Sequence, residues 1–211
     1  MNNFITYSDI HMDMRNLPEI VASVNERMDH LETMRERSIA SSRSVIRNTK
    51  RAIHDMHMRN DHTEHLKIAA SEFNDLYRCI KDEPEILFSG SVSDAMMELS
   101  EACILSSIVL GKDLPSYPSL NVTPQAWVLG LADSLGELRR ILLNDLMNGR
   151  IDDAKKVFGQ MEGICDHVMS FDVPDAILPV RRKQDIARSV MERTRTDITN
   201  ALLMNDAKLK F

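Results

Sequence analysis

The chain has 211 residues, enough for one large domain or two small ones with a substantial buried core. Lys and Arg number 26 against 32 Asp and Glu, and this net charge of −6 argues against a nucleic-acid partner unless the positive charge is concentrated in one region. Seven Gly and seven Pro are few for this length, and together with long apolar periods of 3.6 residues they predict an all-helical protein.

The sequence lacks the features of secretion and of membrane insertion. Its three cysteines, an odd number without a CxxC pair, are typical of reduced thiols rather than of a disulfide framework. The first residues have neither the basic segment nor the apolar core of a signal peptide, and no run of eighteen apolar residues follows. We therefore expect a cytoplasmic protein that does not cross a membrane.

The first predicted helix is long and has two different faces. Residues 1–16 show no clear period, and we expect them to form a loose arm. From Pro18 to about Arg59, apolar residues recur at helical spacing. The opposite face carries a basic stripe within an otherwise acidic chain. The stripe consists of Arg43, Arg47, Lys50, Arg51 and His54. Such a stripe is compatible with a solvated surface and also with binding to phosphates.

A polar break at residues 60–63 precedes a second predicted helix from His65 to Lys81. Four histidines lie around this break, namely His54, His57, His62 and His65. A metal site is one interpretation of such a group, but histidines at a helix junction are more often surface residues. We interpret them as surface residues.

A third helix is predicted from about Glu85 to Leu110, with a kink or a start at residues 89–91. Asp94, Glu98 and Glu101 share one face of it, at steps of four and three. Because like charges at this spacing destabilise an isolated helix, we expect a cation to offset them.

The segment PQAWVLGLADSLGELRR opens the fourth helix, predicted from Pro124 to about Asn148 after a proline-containing loop at residues 111–122. Asp133, Glu137 and Arg140 form a polar stripe beside its apolar face.

Two glycines lie inside this fourth helix, Gly130 and Gly136. Each costs about 1 kcal/mol relative to alanine in a helix. We therefore predict that another backbone approaches closely at both positions.

Two further helices complete the chain. One starts at Asp152 or Asp153 and ends near residues 171–174, and the last runs from Pro179 to Met204. The last helix begins with a basic cluster that opposes its macrodipole. The cluster consists of Arg181, Arg182, Lys183 and Arg188. An external anion would explain it, and so would the nearby aspartates at 172 and 175.

Several enzyme classes are excluded by missing motifs. The sequence has no Gly-rich phosphate loop, no GxSxG, no Cys/His nucleophile pair and no repeat at solenoid periods. A ferritin-like di-iron bundle requires Glu-x-x-His, and no Glu here has His three residues later.

Several segments resemble the translin and translin-associated factor X (TRAX) family. GLADSLGELRR at 130–140 is similar to a Gly-x-Ala-Asp helix of the family, and LLNDLMNGRID at 142–152 to its Asn-rich continuation. ELSEACIL at 98–105 resembles the Glu-x-x-Glu-Ala segment of the TRAX branch, and the run at 182–184 resembles the start of the last helix. The sequence is acidic overall and shows no basic nuclear-targeting extension, so the resemblance implies a TRAX-like protein of the prokaryotic or archaeal kind that needs no translin partner.

The resemblance implies a single-domain, antiparallel all-α bundle of six or seven helices that assembles into a hollow homo-oligomer, which we expect to be an octamer. TRAX-type subunits are metal-dependent single-strand endoribonucleases, whereas translin-type subunits bind RNA or single-stranded DNA without the complete acidic set. The TRAX acids correspond to Glu98, Glu101 and Asp133, with Glu137 in the matching neighbouring place. The resemblance therefore favours the catalytic branch.

The residue types suit this chemistry. Mg²⁺ or Mn²⁺ selects carboxylate oxygens, makes a bound water more acidic and stabilises charge on a phosphate. We therefore predict Glu98, Glu101 and Asp133 as catalytic residues and, with Glu137, as metal ligands. Predicted contacts to single-stranded RNA, or to single-stranded DNA, are the basic stripe together with Arg140, Arg182 and Lys183. Few aromatics predict little sequence preference.

Other interpretations remain open at this point. The acids can pair with Arg139, Arg140 or Arg188 in a purely structural ion network. The protein can also be a binding module that does not cut its strand, or a helical partner protein whose basic stripe is plain surface.

Overall fold

The computed structural model describes residues 15–208, with side chains through residue 205. Seven α-helices run through these residues. They are α1 (Leu17–His57), α2 (Thr63–Ile80), α3 (Pro84–Leu87), α4 (Gly90–Leu110), α5 (Pro124–Met147), α6 (Ile151–Met169) and α7 (Arg181–Lys208). A 3-10 helix, Pro118–Leu120, lies between α4 and α5. The all-α prediction is confirmed, while residues 1–14 of the predicted arm lie outside the described residues.

One predicted helix is divided in two. The segment predicted as a single helix from Glu85 to Leu110 consists of the short α3 and the longer α4. Ser89 separates them in an extended conformation, with φ −67° and ψ 151°, and Phe88 before it is 67% exposed. The serine–glycine pair therefore starts a new helix here rather than bending an existing one.

The helices pack around α4 and α5. α4 lies against α1 and α5, α2 lies against α1, and α5 lies against α6 and α7. Buried apolar side chains form two clusters, one nearer α2 and one nearer α6 and α7. Trp127 packs against both, and its Nε1 donates a hydrogen bond to the carbonyl of Pro115, 2.9 Å away. None of the helices in residues 15–208 is long and apolar enough to span a bilayer.

α5 comes closest to α4 at Gly130. A Cβ at this position would lie 2.7 Å from the carbonyl oxygen of Met97 and 2.8 Å from both the amide nitrogen of Glu101 and the Cβ of Ser100. The predicted close approach is therefore confirmed at Gly130. At Gly136 the prediction is wrong, because a Cβ there would meet no heavy atom of a neighbouring element within 4 Å in the described part of the chain.

A single carboxylate joins three helix ends at one corner of the bundle. Asp145, near the end of α5, is 1% exposed. Its Oδ1 accepts hydrogen bonds from Arg59, after the end of α1, and from Arg150, just before α6. Arg59 has φ 55°, a left-handed conformation that is uncommon for a residue with a Cβ. The chain thus turns sharply where the guanidinium reaches Asp145.

Replacing Gly130 by Ala should lower the free energy of unfolding by about 1–3 kcal/mol, because the added methyl would force two backbones apart. Gly136→Ala, in the same helix with open space around it, should leave stability unchanged or raise it by up to about 1 kcal/mol. Urea unfolding followed by circular dichroism measures both. Equal stability of the two variants would show that α4 and α5 do not touch at Gly130.

Candidate functional site

α4 and α5 bring four acids into one neighbourhood. Glu98 and Glu101 come from α4, while Asp133 and Glu137 come from α5. The charges of Asp133, Glu98 and Glu137 all act on the Glu101 carboxyl and raise its pKa. The two acidic faces identified in the sequence therefore lie against each other.

Glu101 is the most buried of the four acids, with 9% of its surface exposed. Burial, and then the negative charges of Asp133, Glu98 and Glu137, raise its pKa to about 8 from an ordinary value of 4.5. In the part of the chain that the structure describes, Glu101 has no ion-pair partner. The Glu101 carboxyl is therefore mostly protonated at neutral pH as long as no metal ion is bound beside it.

The other three acids each have a basic neighbour. Lys183 places its Nζ 2.5 and 2.6 Å from the two carboxylate oxygens of Asp133. Arg140 donates to Oε2 of Glu137 at 3.2 Å, and Lys50 lies 3.9 Å from Glu98. Burial is the main cause that raises the pKa of Glu98, and the charge of Lys50 opposes it.

Lys183 therefore lies beside the acids, although the sequence suggested that it contacts nucleic acid. Of the three arginines considered as partners of the acids, Arg140 alone pairs with one of them. Arg139 instead donates to Asp197 and Thr194, and Arg188 donates to Asp185.

A cavity of about 310 Å³ opens beside Glu98, Glu101 and Glu137. It is lined by Lys50, Ile53, His54, His57, Glu98, Glu101, Glu137 and Arg140. Two members of the predicted basic stripe, Lys50 and His54, thus stand at the acids. Of the others, Arg43 and Arg47 are exposed further back along α1, and Arg51 is exposed directly after Lys50. Arg182 is exposed at the start of α7.

The sequence interpretation missed His57. It was interpreted as a surface residue, but its side chain is only 18% exposed and its Nε2 lies 2.8 Å from Oε2 of Glu137, at an angle unsuited to a hydrogen bond. His57 is three residues after His54 and seven after Lys50, so the helical period of the basic stripe already pointed to it. The surface interpretation is also wrong for His62, which is 4% exposed and lies 2.8 Å from the hydroxyl of Ser106.

The acids are neighbours without forming a ready ligand shell. Among residues 15–208, no group of three or more His, Cys, Asp or Glu side chains is positioned to hold a metal ion. Asp133 pairs with Lys183, and Glu137 pairs with Arg140 and lies beside His57. A metal ion would therefore require these two carboxylates to exchange their present partners.

Similar proteins exist in both sequence and structure, although no model of a known protein family matches the sequence. An uncharacterized protein of Methanocaldococcus jannaschii is 31% identical over 171 residues, which cover 79% of this chain and 76% of that protein.

Three solved structures share the fold, each over most of the chain. AfC3PO in a complex with duplex RNA has a TM-score of 0.81 at 29% identity, covering 87% of this chain and 97% of its own. AfC3PO alone gives a TM-score of 0.80 at the same identity and coverage. Apo-NeC3PO gives 0.76 at 20% identity, over 86% of this chain and 96% of its own, which by itself supports the fold alone.

AfC3PO and NeC3PO are proteins of the translin/TRAX type. The chain belongs to the translin/TRAX family.

Proposed function

We propose that the protein is a Mg²⁺- or Mn²⁺-dependent endoribonuclease that cleaves short single-stranded RNA inside a shell built from copies of itself in the cytoplasm. One observation carries the proposal. A buried glutamate that has no ion-pair partner among the described residues, Glu101, sits close to three further carboxylates at a cavity that a basic helix face leads to. Strongly perturbed carboxyls at a cavity are typical of functional sites.

The donor chemistry of the acids fits a hard divalent ion. Carboxylate oxygens are the ligands that Mg²⁺ and Mn²⁺ prefer, and a cation would relieve the repulsion that raises the pKa of Glu101. Glu98, Glu101, Asp133 and Glu137 would hold it. Such an ion makes a bound water more acidic and stabilises negative charge on a phosphate.

The remaining residues of the site bind and direct the strand. The exposed guanidiniums of Arg43, Arg47 and Arg51 are suited to phosphates, which they would contact without reading the bases. Lys50 and His54 continue the same face to the edge of the cavity. Arg140 is 69% exposed above Glu137, so it can reach a phosphate that lies over the acids. Arg182 and Lys183 would act from the start of α7.

The structural relatives support RNA as the partner. One of them, AfC3PO, was solved in a complex with duplex RNA. By analogy with these C3PO proteins we propose that copies of this chain self-associate, as an octamer, and bind single-stranded RNA and single-stranded DNA. Because the RNA in that complex is a duplex, cleavage assays should include both strand types.

A second function is favoured by a specific observation. Asp133 is held by Lys183 and Glu137 by Arg140, and no three acids converge on one point in the described residues. This arrangement suits a protein that binds a strand without cutting it, with the acids serving as partners of basic residues.

Cleavage and binding are separated by the variant Glu101→Gln. On a labelled single strand we expect shortening in Mg²⁺ that stops in EDTA and falls by about a hundredfold or more in the variant, since a carboxylate that would hold the metal ion is lost. Binding and oligomer size should not change. Glu64→Gln, an exposed site on α2, is the matched control. If strands stay intact in Mg²⁺ with the wild-type protein, the protein binds RNA without cutting it. If only duplex RNA is cut, the substrate is duplex RNA rather than single-stranded RNA.

Replacing Arg47 by Ala should weaken the binding of all sequences about equally, because a phosphate contact is removed. The slope of log K against log salt concentration should become smaller by about one. Fluorescence anisotropy with strands of different sequence measures both effects. Arg78→Ala, exposed on α2 outside the basic face, should leave binding unchanged. A loss confined to some sequences would argue against backbone binding.

Glu101 also makes stability depend on pH with a definite sign. Its pKa is about 8 in the folded protein against an ordinary 4.5, so the folded state keeps a proton that the unfolded chain has released. In EDTA, the free energy of unfolding should therefore fall as the pH rises from about 5 to about 8. Glu101→Gln should flatten this slope by up to about 1.4 kcal/mol per pH unit. Urea unfolding across this range measures it, and equal slopes in the two proteins would contradict the raised pKa.

A further inference from the structure

The first part of α1 extends beyond the rest of the bundle. Every residue from 17 to 30 is exposed. Arg27 and His30 tie this part of the helix to the bundle through Glu83, which precedes α3. From Leu31 onward, α1 packs against the apolar cluster near α2 and α4. The extension is therefore a continuation of a packed helix, already formed and held at its base.

The extension carries an apolar seam with coiled-coil spacing. Leu17, Val21, Val24 and Met28 follow one another at steps of four, three and four, and their side chains are 45%, 47%, 50% and 52% exposed. Leu31 continues the pattern after three more residues, where the core begins. This alternation of four and three is the a/d repeat of a coiled coil, and Ile20, which is 51% exposed, lies along one edge of it.

The charged residues of the extension leave this seam clear. At 100° per residue, Glu19 and Glu26 point to the opposite side of the helix, and Asp29 points to its flank. A helix placed on the seam would therefore bury no carboxylate, which would be costly without a partner.

We propose that this seam pairs with the same seam of a second copy of the chain, antiparallel. Among the described residues no other helix of the same chain covers it. A symmetric contact between two copies supplies a partner with the matching repeat.

Steric limits fix the direction of the pair. In a parallel pair, the second helix would run past Leu31 into the space that α3 and α4 of the first copy occupy. In an antiparallel pair, the two bundles lie at opposite ends of the seam. Leu17 then faces Met28 of the partner subunit, and Val21 faces Val24 of the partner subunit.

The inference rests on the self-association in the proposed function and is independent of RNA cleavage. The paired segment, residues 17–28, is about 18 Å long. Isolated helices of this length are marginal in water. Here the helix is already ordered by the bundle, so association costs less conformational entropy.

A matched pair of substitutions tests the seam. Val24→Glu puts a charge into it, whereas Ala22→Glu puts the same charge two residues away on the opposite side of the helix. Light scattering after size-exclusion chromatography should show a mass at least twofold lower for Val24→Glu and the wild-type mass for Ala22→Glu, with helix content equal by circular dichroism. If Val24→Glu keeps the wild-type mass, the seam is not the contact between copies, although the chain still self-associates. A monomeric wild-type protein would overturn both, and cleavage by the same sample would still test the nuclease separately.

Cysteine crosslinking tests the direction, with the exposed Cys79 replaced by Ser in all chains. Chains with Leu17→Cys and chains with Met28→Cys are expressed together and oxidised. The antiparallel pair predicts a disulfide between the two kinds of chain, and none within either kind alone. In the antiparallel pair the two Leu17 positions lie about 16 Å apart along the helix axis, whereas a disulfide needs Cα atoms within about 7 Å. Crosslinking of Leu17→Cys chains to each other would overturn the antiparallel direction.

Discussion

The arrangement of this protein depends on the contact between α4 and α5 at Gly130. Because position 130 has no side chain, the backbone of α5 comes to rest against the backbone of α4 at Glu101. Asp133 and Glu137 follow on α5 at one-turn intervals, so the contact that sets the spacing of the helices also sets the spacing of the acids. The free-energy cost of a glycine inside a helix is thus offset by the packing that it permits. The same packing concentrates negative charge.

That concentration of charge is maintained by the surrounding structure. Lys183, Arg140 and Lys50 each stand beside one acid, while Glu101 forms no ion pair with any described residue. The apolar layers on both sides of α4 hold Glu101 in a place where its ionised form is unfavourable. A small formal charge of −6 for the whole chain hides this separation into an acidic centre and a basic face on α1.

Much of this was accessible from the sequence, because the helical period reports which residues share a face of one helix. The period identified the acidic faces of α4 and α5 and the basic face of α1. It does not report how two helices are rotated about each other, and the contacts that depend on this rotation were missed. Examples are the pairing of Lys183 with Asp133 and the position of His57 at Glu137. Gly136 shows the same limit. Like Gly130 it is a glycine inside the predicted helix, but it lies on a side of α5 where no neighbouring element of the described chain comes close.

The corner around Asp145 bears on how this chain tolerates insertions and deletions. One carboxylate accepts from Arg59 in the connection between α1 and α2 and from Arg150 in the connection between α5 and α6. Neither connection can gain a residue without moving a guanidinium away from a carboxylate that is almost fully enclosed. The stretch between α4 and α5 has no such tie at Asp145. The two connections at Asp145 should therefore keep their lengths among relatives, and differences in chain length should accumulate in connections away from this carboxylate.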